Sequence, residues 1–99
     1  MTPRIRADPD LIKAFCRRHH ILRLRFFGSV LREDFTPTSD VDVIVEFEPG
    51  HVPGLAFFEL QDELSALLGR RVDLNTPNSL SRYFRDRALA EAEDQYVEA

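Results

Sequence analysis

Apolar residues recur along this chain with two different periods. Leu11, Ile12, Phe15 and Cys16 follow the 3.6-residue repeat of a helix. Asp8-Pro9 supplies an N-cap and a first-turn proline. Arg17, Arg18, His19 and His20 fall at the negative C-terminal end. Adjacent His side chains on a helix point apart, so the pair reads as capping or surface residues rather than metal ligands. Leu22 to Phe27 alternates like a strand, and Gly28-Ser29 ends it. Val30 to Glu33 can form one helical turn, and Phe35 to Ser39 a turn rich in Thr and Pro. Val41 to Phe47 predicts a second strand, with Val41, Val43, Val45 and Phe47 on one face and Asp40, Asp42, Ile44 and Glu46 sharing the other. Pro49-Gly50 and Pro53-Gly54 bracket a loop. Leu55 to Leu68 predicts an amphipathic helix closed by Gly69. Phe57, Leu60, Leu64, Leu67 and Leu68 face inward in it, and Phe58 falls off the stripe. Val72 to Leu74 predicts a short strand. Residues 79–93 read as mostly helical, with a break near Ser81 and a frayed end.

The resulting order, α-β-(α)-β-α-β-α, predicts an α/β or α+β fold with helices packed on a small sheet. Ninety-nine residues suit one domain, spanning 1–99. With 43% hydrophobic and 30% charged residues, the composition is that of a globular chain. The longest aliphatic runs, such as Val43-Ile44-Val45, are far too short to span a membrane. The charged start of the chain shows no signal peptide, and the single Cys16 excludes an internal disulfide framework and a Cys-based zinc site. Together these give the expectation of a reducing, cytoplasmic setting.

Charge is unevenly placed. Residues 1–32 hold eight basic and two acidic side chains; 33–69 hold nine acidic and no basic; 70–99 hold five basic and six acidic. The acidic middle needs counter-charge from elsewhere in the fold or from a bound cation, unless it forms solvated faces. A formal net charge of −4 argues against direct nucleic-acid binding through a broad basic surface.

Candidate chemistry centres on Asp40-Val41-Asp42. Residues i and i+2 of a strand project from one face, about 7 Å apart along the chain. Two carboxylates so placed repel, and a hard divalent cation removes that cost. Surface turn acids are the bland alternative. Gly28-Ser29 lies at a strand-to-turn junction, where free backbone N–H groups can meet a phosphate; an ordinary strand-ending Gly with a capping Ser is the other reading. Asp73, between Val72 and Leu74, sits where strand propensity disfavours Asp. It is either a third ligand or an edge acid paired with Arg70 or Arg71.

Gly28-Ser29, ten residues, then Asp40-Val41-Asp42 resembles the Gly-Ser-x10-Asp-x-Asp motif of nucleotidyltransferases of the DNA polymerase β superfamily. Residues 27–47 look like the minimal nucleotidyltransferases of prokaryotes, 69–74 resemble that family's third-carboxylate strand, and 85–92 its closing helix. Asn75 departs from the pattern, where an apolar residue is usual. The resemblance covers nearly the whole chain. It implies a mixed-sheet polymerase β-like core, Mg²⁺ dependence and ATP as substrate. It further implies an antitoxin paired with a HEPN-domain ribonuclease toxin, to which an adenylyltransferase of this kind adds AMP on a tyrosine.

On that resemblance Asp40, Asp42 and Asp73 are the catalytic, metal-holding acids for two Mg²⁺ ions, with Asp73 also placed to accept a proton. Gly28 and Ser29 grip phosphates. Arg32 either reaches a phosphate or pairs with Glu33 or Asp34; Ser39 either bonds phosphate or caps its turn. The chain lacks the Gly pattern of P-loop and Rossmann sites and has no room for the acceptor domain of a glycosyltransferase. The rival of a different class is a non-catalytic antitoxin module that blocks its toxin by steric contact.

Overall fold

The computed structural model describes residues 8–31, 36 and 38–98. Helix α1 (Pro9–Arg18) leads into strand β1 (Ile21–Phe27), a 3₁₀ turn at Gly28–Leu31 and strand β2 (Val41–Phe47). Helix α2 (Ala56–Leu68), strand β3 (Val72–Asn75), a 3₁₀ turn at Pro77–Ser79, helix α3 (Arg85–Glu91) and strand β4 (Glu93–Val97) follow. The sheet has the order β3-β2-β1-β4. Strand β2 runs parallel to β3, while β1 is antiparallel to β2 and to β4, so the sheet is mixed, as the resemblance implies.

Local chemistry explains most boundaries. Asp8 Oδ1 accepts the Asp10 backbone N–H at 2.9 Å, capping α1 ahead of its first-turn proline. Gly69 closes α2 in the left-handed region at φ 69°, where a side chain would be strained. The apolar faces of α1 and α2 bury Ile12, Phe15, Cys16, Leu60 and Leu64 against Leu24, Phe26, Val41, Val43 and Val45 of the sheet. Burial, with Glu98 adding to it, pushes the Cys16 thiol up to about 12, so this cysteine is an inert core residue. The opposite face is covered more thinly, by a cluster of Ile44, Leu80 and Ala88 with Phe27 and Leu89 against it.

Four expectations need correction. Leu11 is half exposed, so the stripe of α1 narrows to Ile12, Phe15 and Cys16. The turn after β1 is 3₁₀ and starts at Gly28 rather than Val30. Residues 79–93 are not one helix. Thr76 and Ser79 form a reciprocal cap around the 3₁₀ turn, and α3 begins only at Arg85. The end of the chain does not fray as expected: Glu93–Val97 is an edge strand on β1. A register shift between Leu24 and Arg25 lets Tyr96 pack on the main core while Asp94 bonds Arg23.

The uneven charge of the sequence resolves in space. Arg18 and His19 meet Glu63, His20 meets Glu48, and Arg25 Nη2 donates to Glu46 at 2.7 Å. Each pair joins the basic first third of the chain to its acidic middle.

Candidate active site

The end of β1 and the starts of β2 and β3 meet in one row. Phe27 stands opposite Asp42 across the β1–β2 ladder, and Asp42 stands opposite Asp73 across the parallel β2–β3 ladder. Residues paired in a ladder share a face, so both carboxylates rise from the side that α3 partly covers, about 4.8 Å apart at the backbone. The strands fix this placement: Val41 and Val43 of β2, and Val72 and Leu74 of β3, are buried in the opposite face.

Gly28 is bound to this row sterically. Its φ is +75°, and a Cβ built there would overlap Oδ2 of Asp42 and stand 3.3 Å from its Cγ. Gly28 and Asp42, fourteen residues apart in sequence, therefore touch. No other residue type provides both that backbone conformation and that space. The 3₁₀ turn that Gly28 opens is four residues long, so its backbone N–H groups, rather than a helix dipole, are what it offers an anion.

Asp73 is exposed on a strand whose outer edge is held by α2. The Val72 N–H donates to Ser65 Oγ at 3.0 Å, and the Leu74 N–H to Gln61 Oε1 at 2.9 Å. Ser65 Oγ in turn donates to the Gln61 carbonyl at 2.8 Å. Sequence reading missed Gln61 and Ser65; their signal was two polar residues at an i, i+4 spacing on the helix preceding the strand. Asn75, the departure from the family pattern, stays in register opposite Ile44, so β3 keeps its length.

Asp40 precedes β2 and lies at the rim, with its Oδ1 4.0 Å from Arg71 Nε. Both side chains are well exposed there, so this pair is weak. Arg70 Nη2 donates to the carbonyls of Thr36 and Ser39. Ser39 Oγ accepts the Thr36 N–H at 3.0 Å and thus caps its turn. Arg32 and the side chain of Ser29 lie outside the described residues.

The donor set is made of hard carboxylate oxygens, which suits Mg²⁺ and not a soft transition metal. Among the described residues, no three acidic, imidazole or thiol side chains form a ready metal cage. Mg²⁺ needs none, because it takes one or two carboxylates and completes its shell with phosphate oxygens and water. Asp42 and Asp73 fit that role as placed, and Asp40 lies at the rim beside Arg71. The overlap that only a glycine relieves at Asp42 leaves the carboxylate facing the turn that Gly28 opens.

Comparison with known proteins agrees with this geometry. Residues 9–95 match the family described as Nucleotidyltransferase domain. The protein adenylyltransferase MntA of Thermococcus cleftensis is 39% identical over 80 residues, covering 80% of this chain and 79% of that one. A Methanocaldococcus jannaschii protein assigned by inference as a protein adenylyltransferase is 40% identical over 77 residues, or 78% of this chain and 82% of that one. A solved structure assigned as a minimal nucleotidyltransferase superposes with a TM-score of 0.71 at 36% identity, covering 86% of each chain. The same fold recurs in a toxin–antitoxin complex with AMP-PNP, at a TM-score of 0.74 and 21% identity, over 91% of this chain and 73% of that one. With the motif, the mixed sheet and the sequence relatives in agreement, this chain belongs to the nucleotidyltransferase domain family and has protein adenylyltransferases among its relatives.

Proposed function

We propose that this chain, read as a single domain over residues 1–99, is an antitoxin that transfers AMP from Mg-ATP to a tyrosine hydroxyl of a HEPN-domain toxin. The observation that carries the reading is the row of Gly28, Asp42 and Asp73, in which a phosphate-binding turn and two carboxylates share one strand end. The relatives named protein adenylyltransferase support the reaction class. One structural neighbour contains an AMPylated HEPN toxin from Shewanella oneidensis bound to its antitoxin, which supports the choice of partner. Among the described residues no helix is long and apolar enough to cross a membrane, and a cytoplasmic setting is part of the proposal.

In this reaction the acceptor oxygen bonds to the α-phosphorus, the bond to the bridging oxygen breaks, and pyrophosphate leaves. Asp73, exposed at the strand edge, receives the hydroxyl proton. Backbone N–H groups of the Gly28–Ser29 turn hold the outgoing phosphates. Asp40, Asp42 and Asp73 would hold two Mg²⁺ ions, which when bound supply charge neutralisation at the phosphates and a more acidic acceptor. Arg32 and Ser39 are assigned supporting contacts with phosphate, Ser39 on condition that its turn opens.

The test is incubation of the chain with ATP labelled at the α-phosphate, Mg²⁺ and its genomic partner toxin. The toxin should gain label and lose ribonuclease activity. Toxin that is silenced at equal stoichiometry without gaining label would instead identify a steric antitoxin.

A further inference from the structure

The chain has two tyrosines, and the fold treats their hydroxyls differently. We propose that Tyr83 is a self-modification site that accepts AMP from the chain's own active site, an inference that rests on the transferase reading above.

Exposure separates the two tyrosines. Tyr83 is 87% exposed, and among the described residues its hydroxyl has no hydrogen-bond partner. Tyr96 instead packs against the main core, and its hydroxyl donates to the Glu98 carboxylate. That bond pushes the Tyr96 hydroxyl above its ordinary pKa, so it gives up its proton less readily. Tyr96 also stands opposite Leu24, which is buried with Val41 and Val43 in the sheet face that Asp42 does not share.

Local hydrogen bonds hold Tyr83 in a turn ahead of α3. The Phe84 and Arg85 N–H groups donate to the Ser81 carbonyl at 3.1 and 2.8 Å, and the Tyr83 N–H donates to Ser81 Oγ at 3.3 Å. The next residue, Phe84, lines an open cleft of about 270 Å³ that also has Gly28 in its wall. Gly28 in turn abuts the Asp42 carboxylate. Arg82 lies over the Tyr83 ring, with its guanidinium carbon 5.3 Å from the ring centroid, and has no carboxylate partner among the described residues. A guanidinium beside the hydroxyl attracts a triphosphate toward this acceptor.

The chemistry is that proposed for the toxin. The Tyr83 oxygen bonds to the α-phosphorus of ATP, the bond to the bridging oxygen breaks, and pyrophosphate leaves with that electron pair. Asp73 receives the hydroxyl proton.

The experiment incubates the full chain with Mg²⁺ and ATP labelled at the α-phosphate, with and without the toxin, and maps the label by peptide mass. Wild type alone should gain AMP on the peptide that holds Tyr83. The fraction labelled per minute should not vary with protein concentration. Tyr83→Phe should stay unlabelled, yet label the toxin as wild type does. A wild-type chain that labels the toxin but not itself would overturn this inference alone. So would AMP on Tyr96, label that persists in Asp42→Asn, or a labelled fraction that grows faster at higher protein concentration, which is transfer between copies. A chain that labels neither itself nor the toxin would remove the transferase reading and the self-modification together.

Discussion

The two ends of the sheet handle carboxylates in opposite ways. Where β1 begins and β2 ends, acids meet arginine and histidine side chains: Glu63 with Arg18 and His19, Glu48 with His20, whose ring stacks on His51 at 3.9 Å. All three histidines of the chain gather at this end. Where β1 ends and β2 begins, acids meet acids: Asp42 stands across the ladder from Asp73, and Asp40 precedes by two residues. Like charges directly opposite in a sheet destabilise it. The first end is arranged for folding. The second sets like charges side by side, a stability cost that a bound cation would lower.

This contrast can be broken by substitution, starting with the largest effect. Asp42→Asn should cut AMP transfer by more than the roughly 10²–10³-fold that one preorganised transition-state contact is worth; single-turnover labelling of the toxin measures it. Gly28→Ala should damage both properties at once. A left-handed φ costs a non-Gly residue about 1–3 kcal/mol, and the new methyl displaces the Asp42 carboxylate. Urea unfolding and transfer rate should fall together, whereas a variant of normal activity would show that Gly28 and Asp42 are not in contact. Gln61→Ala leaves the Leu74 N–H without its partner and should cost about 1–3 kcal/mol. Transfer should also decline, because β3 carries Asp73; unchanged activity would mean that this edge needs no support from α2.

The smallest effect belongs to the far end. Burial pushes the Glu63 carboxyl up, but hydrogen bonds from Arg18 and His19 outweigh it and leave it below the usual carboxylate range. A depressed folded value gives stability that is present above the unfolded value and is lost as pH falls through the folded one. Since the carboxylate is 38% exposed, solvent screening limits this to about 0.2–1 kcal/mol. Glu63→Gln should therefore lower stability slightly at pH 7 and flatten its decline below about pH 4.5. Unfolding curves from pH 3 to 7 check this, and an identical pH profile would mean that the ion pair contributes nothing.

The site was more legible in the sequence than the last quarter of the fold. Gly28, Asp40, Asp42 and Asp73 stood out because each breaks or ends a regular pattern, and β2 keeps its alternation from Val41 to Phe47. Strand β4 was hidden because Glu93-Asp-Gln-Tyr-Val97 is polar and its alternation is interrupted by the register shift at Gln95. It holds through a long-range pair, Arg23 to Asp94 at 2.7 Å, which no local window contains. The same contact holds the Asp94 carboxyl below its usual range. Gln61 was missed for a related reason: its role depends on which strand the topology brings beside α2.

Thermal melting of wild type and Asp42→Asn, in EDTA at low salt and then with Mg²⁺, tests most directly whether the acidic end is built for a cation. Removing one of two facing charges while keeping the side-chain shape relieves repulsion. The variant should therefore melt above wild type in EDTA, and added salt should narrow the gap. Mg²⁺ should raise the wild-type melting temperature and barely move the variant, which lacks a ligand. If Asp42→Asn melts below wild type in EDTA, Asp42 is instead a stabilising partner in the folded chain, and the contrast between the two ends of the sheet is wrong.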